Sequence, residues 1–290
     1  MKTCYNRSWF NTLIIILFFL VLLPIAVFAE TQNIPIRVFV SILPIKYFVE
    51  RVGGDNVDVS VMVRPGQSPV TYAPTPRQMV RLSKAKIYYR TGVPFEDAWM
   101  KRIQRMNPSM QVIDLRKGIT LRRFPIGTDP HIWTNPLLVM RMSETIRDSL
   151  IKVDAKNKRI YEKNYLVFVN DLKKLDNYIR FKLKNLSSRT ILVFHPAWGY
   201  FADAYGLQQM AIEQEGKEAG PRDLENIAKV ALQKHIKAIF VQPQFNKTQA
   251  QAIANLIHAK IVIIDPLAED YLSNMYKVTN IFANYLSFKE

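Results

Sequence analysis

Only four histidines occur in this 290-residue chain, and two of them stand where a fold could use them. His131 lies in "TDPHIWTNP", bracketed by Pro130 and Pro136 and followed by Trp133, just before the amphipathic run "LLVMRMSETIRDSLIKV". His195 lies in "LVFHPAWGYFADAYG", after an apolar strand pattern and before a helix pattern, so it should project from the carboxyl end of a sheet. Asp265 takes the same place after "KIVII". Ligands of open α/β sheets bind in the crevice beyond the carboxyl ends of the strands. Three separate elements therefore direct two imidazoles and a carboxylate towards one cleft. Neutral imidazole nitrogen together with carboxylate oxygen suits zinc and other first-row divalent ions. A His or Asp at a strand end also serves as a cap or hydrogen-bonding group, and the residues alone leave both readings open. His235 in "ALQKHIKA" and His258 in "NLIHA" fall near helix C-termini, where an imidazolium suits the helix dipole, and are read as structural.

Thiolate chemistry is excluded. The single cysteine, Cys4, precedes an apolar stretch from Leu13 to Val27, with Lys2 and Arg7 ahead of it and "VFA" just before Glu30. This is the pattern of a secretory signal peptide cut after Ala29, with a retained membrane anchor as the competing reading. The exported chain, residues 30 to 290, would then be soluble in a bacterial periplasm and free of disulfides and sulfur ligands. The net charge of +16 loses only Lys2 and Arg7 with the leader, which leaves +14. The cations are scattered over predicted helix faces without a dense basic stretch or a nucleic-acid motif. A solvated basic surface is expected, and no nucleic-acid partner.

The positioning elements follow from the periodicity. "IRVFVSI", "VDVSVMV", "KIYYR" and "QVIDL" read as strands, with helices at "TPRQMVRLSKA" and "FEDAWMKRIQRM". The second half repeats the rhythm with "RTILVF", "AIFVQP" and "KIVIID", each followed by a helical pattern. Alternation of this kind predicts α/β architecture with parallel sheets covered on both faces, in two lobes. Between the clusters, residues 154 to 186 carry Tyr161, Tyr165, Phe168, Leu172, Leu175, Ile179 and Leu183 on one helix face, without Gly or Pro. Roughly 30 helical residues span some 45 Å, enough to act as a strut between the lobes. The expected division is a signal peptide over 1–29, a first α/β lobe over 30–153, a linking helix over 154–186 and a second α/β lobe over 187–290.

One stretch is puzzling. "RPGQSPVTYAPTP", residues 64 to 76, holds four prolines and one glycine in thirteen positions. A loop so constrained usually holds something, yet it contains no carboxylate and no imidazole.

Taken together, "VFVSILPIKYFVERVGGDNVDVSVMVRPGQSP", "YAPTPRQM", "LSKAKIYYRTGVPFEDAW", "DPHIW", "VFHPAWGYFADAYGL", "EGKEAGP", "IFVQPQF" and "DPLAEDY" resemble, in order and over nearly the whole exported chain, the zinc- and manganese-binding solute receptors of bacterial ABC importers. The resemblance implies two α/β lobes joined by one long helix, a metal ion between them, and a membrane permease as partner of a monomeric receptor. It implies His131, His195 and Asp265 as metal ligands, and zinc before manganese, because a histidine at the position of His195 is similar to the zinc-type members. It also exposes two departures. Val70 stands where the family's opening loop carries its first histidine ligand, and the segment "ITLRRFPIGT" before Asp129 is short and basic where many zinc receptors carry a His-rich insert.

Three readings follow. The chain is a non-enzymatic metal receptor; or Val70 makes room for a metal chelate whose own donor replaces the missing imidazole; or an open zinc position supports hydrolysis. No HExxH helix or nucleophile elbow supports the last. Glu213, Glu215 and Glu218 in "EQEGKE" are the nearby carboxylates that could complete or support a site.

Overall fold

The computed structural model describes Met1 and residues 34–124, 127–213, 219–245 and 247–287. Beyond Met1, the expected leader over 1–29 lies outside these residues, as do Glu215 and Glu218.

The first half alternates β1 (Ile36–Val40), α1 (Leu43–Gly53), β2 (Val57–Val61), α2 (Pro76–Leu82), β3 (Ile87–Arg90), α3 (Pro94–Met106) and β4 (Gln111–Asp114). These strands form a parallel sheet in the order β2-β1-β3-β4. After α4 (Pro136–Val153) and α5 (Lys158–Lys182), the second half runs β5 (Thr190–Val193), α6 (Gly199–Tyr205), β6 (Gln208–Ala211), α7 (Pro221–Gln233), β7 (Ala238–Val241), α8 (Thr248–Leu256), β8 (Lys260–Ile263) and α9 (Tyr271–Leu286). Its sheet is also parallel, in the order β6-β5-β7-β8. The two sheets thus share one winding pattern, with the chain reversing its direction of growth between β1 and β3 and between β5 and β7. Loops at such switch points diverge and leave a crevice.

Every residue of β5 and β7 is buried, as expected of central strands covered on both faces. The strand β6 is not among those read from the sequence. Its residues, Gln-Gln-Met-Ala, include no β-branched or aromatic side chain, and it is a strand because pairing with β5 from Thr190↔Gln208 to Val193↔Ala211 satisfies its backbone. Helix α2 starts as its sequence predicts. Pro76 takes the first turn, the Thr75 hydroxyl accepts from the Gln78 N–H at 3.3 Å, and the Gln78 side chain accepts from the Thr75 N–H at 3.1 Å.

The long helix α5 has 25 residues, or about 37 Å at ~1.5 Å per residue. It is shorter than the 154–186 segment because Asp154 terminates α4 and accepts a 2.7 Å bond from Tyr161, and a short 3-10 turn follows at Ala155–Asn157. Tyr161, Phe168, Leu172, Leu175 and Ile179 are fully buried along its inner stripe. Near its middle it meets α1, through Arg51 Nη2 donating to Asp171 at 2.7 Å and Phe48 against Phe168 with ring centroids 5.8 Å apart. Further on it meets α9, where Tyr178 donates to Asn280 Oδ1 at 2.6 Å. One continuous apolar core therefore runs from Val38 of β1 through Phe168 of α5 to Phe282 of α9, and a smaller one around Ile239 and Ile253 fills the other face of the second sheet. The crevice between the sheets is held by Trp133, whose indole N–H donates to the Pro266 carbonyl at 2.8 Å, and by an ion pair between Lys46 and Glu269.

Candidate metal centre

The loops beyond the carboxyl ends of both sheets enclose a cavity of about 380 Å³. Gly92 and Val93 follow β3, His195 and Pro196 follow β5, Gln242 and Phe245 follow β7, and all line it together with His131. His131 is set by its own sequence. Asp129 precedes it in Asp-Pro-His, and the Asp129 Oδ1 atom accepts from the His131 backbone N–H at 3.0 Å, an Asx turn that brings the same oxygen 2.7 Å from the ring Nδ1. His195 is positioned by the second sheet. Its Nδ1 lies 2.9 Å from the Oε2 atom of Glu213, just past the end of β6, and the Gln242 amide donates to its carbonyl at 3.0 Å. Phe245 stacks on the His195 ring at 4.8 Å and 21°, and Trp133 lies 5.1 Å from His131.

These contacts decide the tautomers. A carboxylate accepts only, so each Nδ1 that faces one carries the proton, and each Nε2 is left with its lone pair. The two Nε2 atoms are 3.3 Å apart. Two lone pairs at that distance repel unless a cation lies between them. Two nitrogens bound to one zinc at about 2.0–2.1 Å and at the tetrahedral angle lie about 3.3–3.4 Å apart. Burial pushes the His195 pKa below the usual histidine value; the Glu213 hydrogen bond opposes this and the neighbouring His131 reinforces it. The imidazole is thereby kept in its neutral, metal-binding form.

The Asp129 carboxylate behind His131 is itself supported. Asp129 is fully buried, and Arg122 Nε lies 3.4 Å from its second oxygen. Arg122 also pairs with Asp203 of α6, its backbone N–H donates to the Tyr200 hydroxyl at 2.8 Å, and that hydroxyl donates to the Asp129 carbonyl at 2.9 Å. Arg122 belongs to the short basic segment before Asp129. That segment brings no metal ligand of its own, but it joins the loop of His131 to the second half of the chain. Gly199 makes the approach possible, since a Cβ there would lie 2.6 Å from Arg122 Nε and 2.9 Å from Asp129 Oδ2.

Of the residues singled out in the sequence, the structure brings His131 and His195 into contact and sets Asp265 beside them in a second cavity, of about 240 Å³, with Arg64, Gln67 and Glu269. Among the described residues no three His, Cys, Asp or Glu side chains are grouped to hold one ion. Asp265 Oδ1 accepts from the Leu267 N–H at 2.9 Å and from the Gln244 amide at 3.0 Å, and Gln244 borders both cavities. Val70 lines the histidine cavity from the proline-rich loop, beside Ser68 and Pro69. Glu213 stands behind His195. His235 and His258 are exposed, each just past a helix end with φ of 52°, away from the centre. Sequence reasoning missed Asp129, which its Asp-Pro-His spacing could have revealed, and Gln244, which stands just past the strand pattern "AIFVQP" much as His195 and Asp265 stand past theirs.

The model of the family described as zinc-uptake complex component A, periplasmic, matches residues 38–285, and the chain belongs to that family. It is 27% identical to the manganese-binding lipoprotein MntA of Halalkalibacterium halodurans over 215 residues, 71% of each chain. It is 24% identical to the high-affinity zinc uptake system protein ZnuA of Bacillus subtilis over 261 residues, 82% of this chain and 81% of that one. A crystal structure of ZnuA superposes with a TM-score of 0.85 at 38% identity, covering 87% of this chain and 100% of that one.

Proposed function

We propose that this protein captures a divalent first-row metal ion, zinc before manganese, in the crevice between its sheets and delivers it to the membrane permease of an ABC importer. The observation that carries this reading is the pair of Nε2 atoms 3.3 Å apart, each imidazole fixed from behind by a buried carboxylate. Second-sphere carboxylates of this kind orient ligating histidines and raise their basicity. His131 and His195 supply the nitrogen donors, and Asp265 supplies the negative charge on the third side. Two imidazoles favour zinc over manganese, which prefers oxygen. Capture and release need no covalent step, so the protein acts as a receptor and not as an enzyme.

The same reading has the chain exported behind a leader that ends at Ala29 and working as a monomer in the periplasm, with no nucleic-acid partner. No helix among the described residues is long and apolar enough to cross a membrane. The test is a competitive chelator titration of the chain starting at Glu30 with zinc at neutral pH, alongside His131→Ala and His195→Ala. One tightly held equivalent that both variants lose is expected. Zinc retention unchanged in both variants would overturn the reading.

A further inference from the structure

Each histidine shows the same two-ended arrangement, with one ring nitrogen donating to a buried carboxylate and the other facing the cavity. A third side chain lines the same cavity and also donates to a carboxylate, the half-buried Asp265. Gln244 borders the histidine cavity and the Asp265 cavity, and its Nε2 donates to Asp265 Oδ1 at 3.0 Å. That bond fixes the orientation of the carboxamide, because only the NH₂ end can donate to a carboxylate. The other end, Oε1, is buried without a hydrogen-bond partner. A buried acceptor left unpaired is destabilising, and such a group in a native structure calls for an explanation such as a functional role or an ion.

We propose that Gln244 is the third ligand of the ion, through Oε1, and that Asp265 acts from behind it as Asp129 acts behind His131 and Glu213 behind His195. This rests on the metal-capture reading and deepens it. The donor set is then two imidazoles and one carboxamide oxygen, all neutral, while the three charges that balance the ion stand one bond further out on Asp129, Glu213 and Asp265. Gln242 also lines the cavity with a buried, unpaired Oε1, but its amide donates to the neutral His195 carbonyl and lacks a carboxylate to polarise it. A neutral oxygen donor weakens the grip relative to a carboxylate and leaves the ion easier to surrender. It also gives Asp265 a definite role despite its position outside the histidine cavity.

The test compares Gln244→Leu with Asp265→Asn by zinc competition titration, and by the visible absorption of the cobalt-loaded protein, which reports the donor set around the ion. Gln244→Leu is expected to weaken zinc binding at least ten-fold and to change the cobalt spectrum. Asp265→Asn is expected to cost less and to leave the spectrum close to wild type. Gln244→His, which puts a stronger donor at the same place, should restore or exceed wild-type affinity and thereby separates a lost ligand from a misfolded loop. If Gln244→Leu binds zinc like wild type while Asp265→Asn abolishes binding, Asp265 is the direct ligand and the proposal fails, with metal capture intact. If neither variant nor the histidine variants alter zinc binding, metal capture itself fails.

Discussion

The Nε2 atoms of His131 and His195 face each other at 3.3 Å although the two residues are 64 positions apart and belong to different halves of the chain. Neither could be held there by its neighbours in sequence alone. The Asx turn at Asp129 aims one ring, the end of β5 with Glu213 aims the other, and the Trp133 bond to the Pro266 carbonyl holds the two halves in register.

The support behind His195 should be measurable without touching a ligand. Glu213→Gln keeps the shape and removes the charge that fixes the tautomer and raises the basicity of the ring. Loss of such an outer partner costs about 10–100-fold in metal affinity. Chelator competition with zinc should give a loss in that range, and an unchanged affinity would separate Glu213 from the metal centre.

Val70 lines the histidine cavity, 38% exposed, on the proline-rich loop. Val70→His would add an imidazole donor to a cavity that has two, and zinc affinity should rise by at least ten-fold, about 1.4 kcal/mol. The same titration checks it. An affinity equal to wild type would mean that the loop does not reach the ion.

Burial holds the His195 pKa below its unfolded value, with known sign for pH dependence. The unfolded chain takes up the proton more readily than the folded one, so stability is at its full value above about pH 6.5 and falls as pH drops through that value towards the lower folded one. Urea denaturation of metal-free protein between about pH 7.5 and 5 should show this decline, and His195→Gln should flatten it. Zinc binding should weaken on the same descent, because protons compete for the imidazoles.

Gly199 is a packing requirement, not a conformational one. A methyl group there would meet Arg122 Nε at 2.6 Å and Asp129 Oδ2 at 2.9 Å, on side chains tied elsewhere by the Arg122 pair with Asp203 and the Asp129 Oδ1 contacts to His131. Gly199→Ala should cost about 1–3 kcal/mol of stability through overpacking. Thermal unfolding would show it as a lowered midpoint, together with weaker zinc binding as Asp129 shifts behind His131.

Much of this molecule is legible in its residues one stretch at a time. The alternation of β-branched runs with 3.6-period helices is local, and so is the capping box at Thr75 and Gln78; both need only neighbouring residues to declare themselves. His131 and His195 were legible because each sits in a distinctive frame, "DPHIW" and "VFHPAW". The edge strand β6 was not, since Gln208–Ala211 has no intrinsic reason to extend and does so by pairing with β5.

What the sequence by itself determined is therefore the set of elements and the histidines at their ends, because period, caps and strand-end positions are short-range properties. The tertiary structure alone decided which atoms face the cavity. Glu213 stands behind the His195 imidazole, Gln244 stands between the histidine cavity and Asp265, and Arg122 reaches across to Asp203. Those relationships depend on the angle and approach of two sheets whose neighbouring helices α1 and α9 pack along α5, and no pattern within a single segment encodes them.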